Sequence, residues 1–459
     1  MAGISKIAVI DIGKTNAKVA LVDLAALQEI AVRKTPNTVL DDDLYPHHDV
    51  ERLWVFILDA LRELNVTHGV DAISITTHGA TAALLDADGA LSLPVLDYEF
   101  AGPDDMRGDY ELVRPNFRNT GSPDLPYGLN IGAQLFWQNK RYSEAFNRTA
   151  AILMYPQYWA WRLTGIMANE VTSLGCHTDL WDPQAANFSS LVDAMTWRDL
   201  FAPVRPASDS LGSILADIAA QTGLDPTTPV ACGIHDSNAS LVPHLINQTA
   251  PFSVVSTGTW VISMAIGAAK IKLDPARDTL INVNAFGDAV PSSRFMGGRE
   301  YELLGGATMT PPTQADIDAV LADSKFLLPS VQEGCGPFPA QRQEWIGGEL
   351  SPGEHTAAVS FYLALMTATC LELIGADGPT IVEGPFAANA LFVKMLSAAT
   401  GRAVQVQPGQ VTGTSIGAAM LMAPSKAERA APVEHRATDS TWTQYAADWR
   451  VLVERARAH

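Results

Sequence analysis

Cysteine is scarce in this chain, and no two cysteines have the C-x-x-C spacing of a metal site. The simplest interpretation is that Cys176, Cys232, Cys335 and Cys370 are buried free thiols in a reducing compartment. Positive charge is also in short supply, because 31 Lys and Arg residues face 50 Asp and Glu residues, for a formal net charge of -19. This balance argues against nucleic acid or an anionic membrane as a partner, although it leaves room for a local basic pocket.

Long apolar runs are missing as well. The uncharged stretch at residues 251–269 contains Ser, Thr and Gly, which suits a strand-turn-strand better than a membrane helix. The apolar stretch after Lys6 is interrupted by Asp11 and Lys14, so it predicts a strand and not a signal peptide. We therefore expect a soluble cytoplasmic protein. A length of 459 residues, with 47% hydrophobic and 18% charged residues, predicts two large globular domains.

One pattern occurs twice. Residues 8–22 are an apolar run, a polar turn at Gly13 and a second apolar run, and residues 254–264 repeat the plan around Gly258. Placing Gly13 on Gly258 aligns Val19 with Met264. Each copy predicts a β-hairpin whose tight turn exposes backbone N–H groups and hydroxyls, and two such turns are suited to holding phosphates between similar domains. The alternative is an ordinary buried hairpin.

Periodicity predicts the elements around these hairpins. Helices are predicted over residues 50–64, with Asp49 as N-cap, and over 132–141, 157–163, 237–246, 357–373 and 389–399. Strands are predicted over 72–76, 229–233 and 380–383, and a hairpin over 82–96. Residues 102–130 are rich in Gly, Pro, Asp and Asn, and such a long loop is usually functional or mobile. The first domain is predicted to span 1–245 and the second 246–459.

The first hairpin carries the residues expected at a magnesium nucleotide. Asp11 offers a carboxylate that can hold Mg²⁺ through water beside phosphates, and Gly13 allows close approach of the backbone. Thr15, Asn16 and Lys18 follow in the turn and second strand. The alternatives are that Asp11 is a turn residue and Lys18 an exposed strand lysine.

A second group follows predicted strands of the first domain. His235 and Asp236 come after a buried strand and open a helix, where Asp236 is suited to accept a proton from a substrate hydroxyl that attacks a γ-phosphate. Asp is equally suited to be a helix N-cap there. His78 and Gly79 end another strand, and a structural histidine is the alternative. The pair His47-His48 has no partner motif and is predicted to lie at the surface.

The second domain offers two weaker phosphate signals. Thr257, Gly258 and Thr259 present hydroxyls and backbone donors in the repeated hairpin. Gly384 and Asn389 lie at another strand-turn-helix junction, where the backbone is suited to border adenine or ribose.

Taken together, these segments resemble the FGGY carbohydrate kinases. The resemblance extends from residue 7 to about 422 and rests on Asp11 to Thr15, His235-Asp236, Ser256 to Trp260, Met296-Gly297 and Gly384 to Asn389. It is strongest toward the rhamnulokinase and fuculokinase branch. It implies two actin-like (ribonuclease H-like) α/β domains, with ATP and sugar between them and Mg²⁺ as cofactor. A homodimer is also expected.

The resemblance also implies individual roles. Asp236 would be the catalytic base, and His235 and Gly79 would lie against the sugar. Residues Lys14 to Lys18, Thr259, Glu302 and Gly384 would lie along the nucleotide path. Arg294 stands where rhamnulokinases carry an asparagine, and the stretch Leu96 to Phe100 lacks the arginine common in the family. These differences fall partly in the sugar pocket, so the sugar's identity stays open, with L-fuculose or L-rhamnulose as the first choice. Another ketose, an aldose or a polyol is the alternative. A non-kinase actin-like ATPase and a kinase-derived sugar-binding protein are the competing classes.

Overall fold

The computed structural model describes residues 3–406, 413–423 and 432–457. Contacts divide the chain into two compact units. Among the described residues, the first unit holds 3–248, Ile281–Ala289 and 413–423, and the second holds Thr249–Leu280, 290–406 and 432–457. The units are therefore interleaved along the sequence, which periodicity alone did not indicate.

The first unit is built from fourteen strands and eleven helices among its described residues. Its strands are β1 Lys6–Ile12, β2 Asn16–Asp23, β3 Gln28–Pro36, β4 Val39–Leu40, β5 His47–His48, β6 Ala72–Thr77, β7 Ala82–Leu85, β8 Leu91–Leu93, β9 Ala151–Met154, β10 Trp181–Asp182, β11 Asn187–Phe188, β12 Ser210–Ser213, β13 Pro229–Ala231 and β14 Ile234–His235. Its helices are α1 Val50–His68, α2 Arg107–Glu111, α3 Phe117–Thr120, α4 Ile131–Arg141, α5 Ser143–Phe146, α6 Tyr155–Thr164, α7 Val171–Leu174, α8 Ser190–Ala194, α9 Ala216–Thr222, α10 Asp236–Asn247 and, from later in the chain, α15 Gly413–Met420.

The second unit repeats a mixed architecture. Its strands are β15 Phe252–Thr257, β16 Val261–Ile266, β17 Thr279–Val283, β18 Ala289–Phe295, β19 Phe326–Leu328, β20 Glu344–Ile346, β21 Thr380–Glu383, β22 Val404–Val406 and β23 Val433–His435. Its helices are α11 Gly297–Leu303, α12 Gln314–Ala322, α13 Pro352–Leu373, α14 Ala390–Thr400 and α16 Ser440–Arg457. Strand β17 runs across the sequence boundary between the units.

The two main sheets share one pairing scheme. In the first, β3, β2 and β1 are antiparallel neighbours, and β6 and β13 follow in parallel. In the second, β18, β16 and β15 are antiparallel neighbours, and β21 and β22 follow in parallel. The repeated hairpin in the sequence thus marks the first two strands of two related α/β units.

The register of the hairpins corrects one detail of the sequence alignment. Ile10 pairs with Val19, whereas its counterpart Val255 pairs with Ser263. Ser263 and not Met264 is therefore the equivalent of Val19. The reason is that the second turn is one residue shorter: Ile12 pairs with Ala17 across four residues, but Thr257 pairs with Val261 across three.

Local capping explains where several predicted helices begin and end. Asp49 accepts a hydrogen bond from the Arg52 N–H at the start of α1, as predicted. Gly165 ends α6 with a φ of 74°, a left-handed conformation that suits glycine. The loop 102–130 is anchored, because Arg114 and Tyr110 both donate to the buried carboxylate of Asp179. This loop contains α2 and α3 and is more ordered than its composition suggested.

Large apolar cores hold both units. One helix among the described residues, Pro352–Leu373, is long and apolar enough by composition to cross a membrane. However, 83% of its most apolar 18-residue segment is buried in the protein core. It packs with α14 and α16 and serves as a core helix. The four cysteines are free; three are buried, whereas Cys335 is only partly so.

Candidate active site

The junction between β14 and α10 presents the predicted base. Asp236 is the first residue of α10, and the N-cap position belongs to His235, whose side chain makes no capping bond. One oxygen of Asp236, Oδ1, accepts from the Ser237 N–H at 2.6 Å and from the Ser237 hydroxyl at 3.3 Å. Since an N-cap accepts from the second or third N–H of its helix, Asp236 is not acting as one. Burial raises the pKa of Asp236, and nearby His78 partly opposes that shift.

His235 lies directly behind this carboxylate. Its Nε2 is 3.2 Å from Asp236 Oδ1, and its Nδ1 accepts from the Asn238 side-chain amide at 3.3 Å. Burial lowers the pKa of His235 to about 4, so the ring is neutral at pH 7. With Nδ1 accepting, the single ring proton sits on Nε2 and faces the carboxylate. His235 thus supports Asp236, and Asn238 sets the tautomer.

Gly79 makes room for this arrangement. A Cβ at residue 79 would lie 2.7 Å from His235 Nε2, closer than side chains pack. The neighbouring His78 places its Nδ1 2.9 Å from the Gly79 carbonyl oxygen, so Nδ1 carries the proton. Burial lowers the pKa of His78, and its Nε2 is left as a buried acceptor without a protein partner among the described residues.

Aromatic rings surround His78. Tyr98 packs edge-on at 5.4 Å between ring centroids, Tyr155 lies at 5.2 Å and His48 at 5.1 Å. The expectation that His47-His48 lies at the surface was wrong for His48, which is 1% exposed. It was missed because β5 has two residues, too few for periodicity to reveal which side chain points inward. Burial holds the pKa of His48 well below its usual range.

Asp11 and Lys18 are cross-strand partners in the first hairpin. The Lys18 ammonium is 3.4 Å from Asp11 Oδ2 and 3.0 Å from Glu29 Oε1. Lys18 is therefore an ion-paired, half-buried lysine and not an exposed one. Burial, with a smaller contribution from the charge of Asp236, raises the pKa of Asp11 to about 6 although Lys18 lowers it. Asp11 and Asp236 are thus close enough for the charge of Asp236 to affect the pKa of Asp11. Among the described residues, no group of three His, Cys, Asp or Glu side chains is arranged to hold a metal ion.

Lys14 points away from the turn that carries it. Its ammonium is hydrogen-bonded to Asp97 Oδ1, lies 3.3 Å from Glu99 Oε2 and sits 5.0 Å from the centre of the Tyr98 ring. The rest of the turn is compact, since the Gly13 N–H donates to the Asn16 carbonyl. Thr15 and Asn16 are exposed there.

A buried acid supports the same junction from behind. The His235 N–H donates to the Thr172 hydroxyl, and that hydroxyl donates to Glu170 Oε2. Glu170 is fully buried, and burial raises its pKa to about 8. Neither residue was singled out from the sequence, because an acid and a threonine before a short helix look like ordinary capping residues.

In the second unit, three turns pack backbone against backbone, so closely that side chains would not fit between them. A Cβ on Gly384 would lie 2.0 Å from the Thr257 carbonyl oxygen, and one on Gly298 would lie 2.1 Å from that of Gly258. The Thr257 hydroxyl donates to the Glu383 carbonyl and accepts from the Phe386 N–H, so it joins two of these turns. The ends of β15 and β21 and the start of α11 thus form one backbone-rich surface.

The remaining predicted residues of this unit have identifiable partners or exposure. Asn389 caps α14 by accepting from the Leu391 and Phe392 N–H groups and donates to Ser360, so its side chain has a structural role. Arg294 is 3.2 Å from Asp278 and lies 4.8 Å from the centre of the Trp260 ring. Thr259 is exposed in the hairpin turn and Glu302 is exposed on α11.

Comparison with known proteins identifies the family. The FGGY family of carbohydrate kinases, N-terminal domain, matches residues 116–243, and the carbohydrate kinase FGGY C-terminal domain matches 249–431. The crystal structure of a carbohydrate kinase from Novosphingobium aromaticivorans is 37% identical and superposes with a TM-score of 0.91, covering 99% of this chain and all of that one. The chain belongs to the FGGY family of carbohydrate kinases, whose members have two actin-like domains. The recognition made from the motifs is thus confirmed.

Two curated relatives carry more specific names. L-fuculokinase of Escherichia coli K12 is 25% identical over 271 residues, which is 57% of either chain. Rhamnulokinase of Pectobacterium carotovorum is 27% identical over 272 residues, which is 56% of this chain and 52% of that protein. The chain thus spans little more than half the length of these relatives.

Proposed function

We propose that this protein is an ATP-dependent sugar kinase that uses Asp236 as its catalytic base. The observation that carries the proposal is the one-sided support of that carboxylate. Oδ1 is taken by Ser237 and faces His235 Nε2, while no described residue hydrogen-bonds to Oδ2. A base held through one oxygen keeps a lone pair on the other for the proton of a sugar hydroxyl.

In this mechanism, the attacking hydroxyl donates to Asp236 Oδ2 as its oxygen approaches the γ-phosphate. The raised pKa of Asp236 favours capture of that proton. His78 Nε2 accepts from another sugar hydroxyl, which would satisfy its buried lone pair. Tyr98 and Gly79 border the sugar, and Arg294 is proposed as a further contact. Residues 1–245 would thus supply the sugar site and the base.

Residues 246–459 are proposed to supply most of the nucleotide site. The backbone-rich surface at Thr257, Gly258 and Gly384 suits close approach of phosphates, with Thr259, Glu302 and Asn389 nearby in sequence. Gly13, Thr15, Asn16 and Lys18 are proposed to contact phosphate from the first hairpin, whereas the Lys14 ammonium is held by Asp97 and Glu99 beside Tyr98. Because the Thr257 hydroxyl and the Asn389 amide already have partners, we expect their contribution through the backbone turns that they hold in place.

The donor set at Asp11 fits a water-mediated Mg²⁺. Asp11 offers one carboxylate, and Asp236 is near enough to raise its pKa; one or two carboxylates are typical for this ion, which takes its remaining ligands from water and phosphate. Asp11 would hold the ion, and the ion would offset charge between the β- and γ-phosphates. The negative charge of Asp236 and the positive charge of Lys18 would then both contribute to the electrostatic potential at Asp11.

The substrate is proposed to be a ketose, with a 6-deoxyketose such as L-fuculose or L-rhamnulose as the first choice. The L-fuculokinase and rhamnulokinase relatives support it, over little more than half of their length. A coupled ADP-release assay over ketoses, aldoses and polyols tests both levels of the proposal. We expect the highest kcat/KM for a 6-deoxyketose; a much higher value for glycerol or an aldohexose would contradict the choice of sugar. ATP hydrolysis at equal rates with and without every sugar would favour an actin-like ATPase instead. A homodimer and a cytoplasmic location stay predictions.

A further inference from the structure

Acids outnumber lysines in the predicted sugar site and the adjoining first hairpin, and both lysines there are already ion-paired. The charge of Lys14 lowers the pKa of the buried His78, and the charge of Lys18 lowers the pKa of the buried Asp11. Lys18 is paired with Asp11 and Glu29, and Lys14 with Asp97 and Glu99. Four carboxylates thus pair with two ammonium groups, and a fifth, Asp236, lies near enough to Asp11 to raise its pKa.

The pair between Lys14 and Asp97 is the one that a substrate would meet. Lys14 lies over the Tyr98 ring, and Tyr98 packs on His78, whose free Nε2 we assign to the sugar. The Asp97 side chain is 9% exposed, and its Oδ1 also accepts from the Glu99 N–H. Lys14 therefore borders the sugar site with its charge already neutralised.

A negatively charged sugar would gain little from such a lysine. To pair with a carboxylate of the substrate, Lys14 would have to leave Asp97, and a buried carboxylate without its cation is strongly unfavourable. The other acids would add like-charge repulsion, which is weakly screened in a desolvated site. An uncharged sugar meets neither obstacle, because its hydroxyls can donate to the acids and to His78 Nε2 without displacing Lys14 from Asp97.

We propose that this kinase selects uncharged sugars over sugar acids, and that Asp97 sets this selectivity by holding Lys14. The proposal rests on the sugar site proposed above. It assigns Asp97 as a specificity-determining residue in the stretch Leu96 to Phe100, which departs from the family pattern in lacking an arginine.

Binding and turnover are measured separately, so that the two proposals can fail independently. Isothermal titration compares D-glucitol with D-gluconate, which differ at one terminal carbon, and the best neutral sugar of the kinase panel with the acid obtained by oxidising its terminal carbon. We expect the wild type to bind each neutral compound at least about 10-fold more tightly than its acid, a typical effect of one unfavourable charge contact. Equal or tighter binding of the acids would overturn the proposal. A clear binding preference without turnover of any sugar would overturn the kinase function but not the selectivity.

Variants test the role of Asp97. Asp97→Asn should release Lys14 and shift the acid-to-neutral affinity ratio toward the acid by about 10-fold or more. Glu99→Gln should shift it in the same direction by less, and because Glu99 is 65% exposed this variant keeps the test valid if Asp97→Asn fails to fold. The control Glu63→Gln removes an exposed carboxylate that pairs with Arg33 and should leave the ratio unchanged. Unchanged ratios in both test variants, or a change confined to the KM for ATP, would overturn the assignment and place Lys14 with the nucleotide.

Discussion

At the scale of single residues, Asp236 gives the sharpest test of the mechanism. Asp236→Asn removes the proton acceptor but keeps the shape, so we expect kcat to fall by about 10²–10⁴ while ATP affinity and thermal stability stay near wild type. Stopped assays for kcat, titration calorimetry for ATP and thermal unfolding measure the three quantities. Near-wild-type turnover would remove Asp236 from the chemistry. Asn also caps helices well, so a capping role would leave activity intact.

The residue scale also shows where sequence reasoning ends. Asp236 and His235 could be proposed from the sequence because a His-Asp pair follows a buried strand and opens a helix, and that context restricts where the side chains go. Asn238 was not singled out from the sequence. Its role is to donate to Nδ1 of His235, and this requires that the two residues, three positions apart, face each other at the start of α10. His48 was misplaced for a similar reason: its burial comes from packing on His78 and Tyr155, which are distant in sequence.

At the scale of elements, the Thr257 hydroxyl joins β15 to the turn after β21. Thr257→Val keeps the shape but leaves the buried Phe386 N–H without its acceptor, so we expect a loss of about 1–3 kcal/mol in the free energy of unfolding. Chemical denaturation measures it. Thr257→Ser retains both hydrogen bonds and should lie close to wild type. If the serine variant were as destabilised as the valine variant, the hydroxyl would not be what holds the turns.

Glu170, the buried acid that supports the junction between β14 and α10 through Thr172, should make the free energy of unfolding depend on pH. Burial raises the pKa of Glu170 from its ordinary value of 4.5 to about 8, so between these pH values the folded state holds a proton that the unfolded state has released. The free energy of unfolding therefore falls as pH rises from about 4.5 to 8. The neighbouring Cys232 thiol stays neutral, because burial raises its pKa. Glu300, with a pKa of about 7, acts in the same direction.

Glu170→Gln removes the larger of these contributions. The melting temperature of the variant relative to wild type should rise between pH 5 and pH 8, measured by differential scanning fluorimetry. Glu372→Gln, an exposed acid in the second unit, should show no such trend. A constant offset for Glu170→Gln across the range would show that the acid does not titrate in this window.

At the scale of the whole molecule, the duplication was predictable and the interleaving was not. Two hairpins with the same pattern in a 459-residue chain indicate two related units, because each hairpin starts a sheet of the same pairing scheme. Nothing in the local pattern of residues 281–289 or 413–423 indicates which unit they join. Their place depends on contacts such as the Ile281 N–H donating to the Gly121 carbonyl and the Ser74 hydroxyl donating to the Ala418 carbonyl.

This interleaving predicts that the first unit does not fold from its continuous part alone. Helix α15 packs closely on α10, where a Cβ on Gly417 would lie 1.7 Å from the Ala239 carbonyl oxygen. It completes an apolar cluster with β1 and β6 through Ile416 and Met420, each fully or almost fully buried. Burial of such side chains stabilises by about 1.5–3 kcal/mol each. Losing the helix would therefore remove much of a typical domain stability of about 5–15 kcal/mol.

A fragment of residues 1–248 should accordingly lack a cooperative thermal transition and bind hydrophobic dyes, whereas the full chain should unfold cooperatively. Gly417→Val tests the same contact in the intact protein, because its side chain has no room against α10, and should lower the melting temperature strongly. Gly108→Val is the matched control, because Gly108 also lies in a helix and a Cβ there meets no other atom. A fragment that melts cooperatively near the temperature of the full chain would show that α15 is an accessory to the first unit and not part of its core.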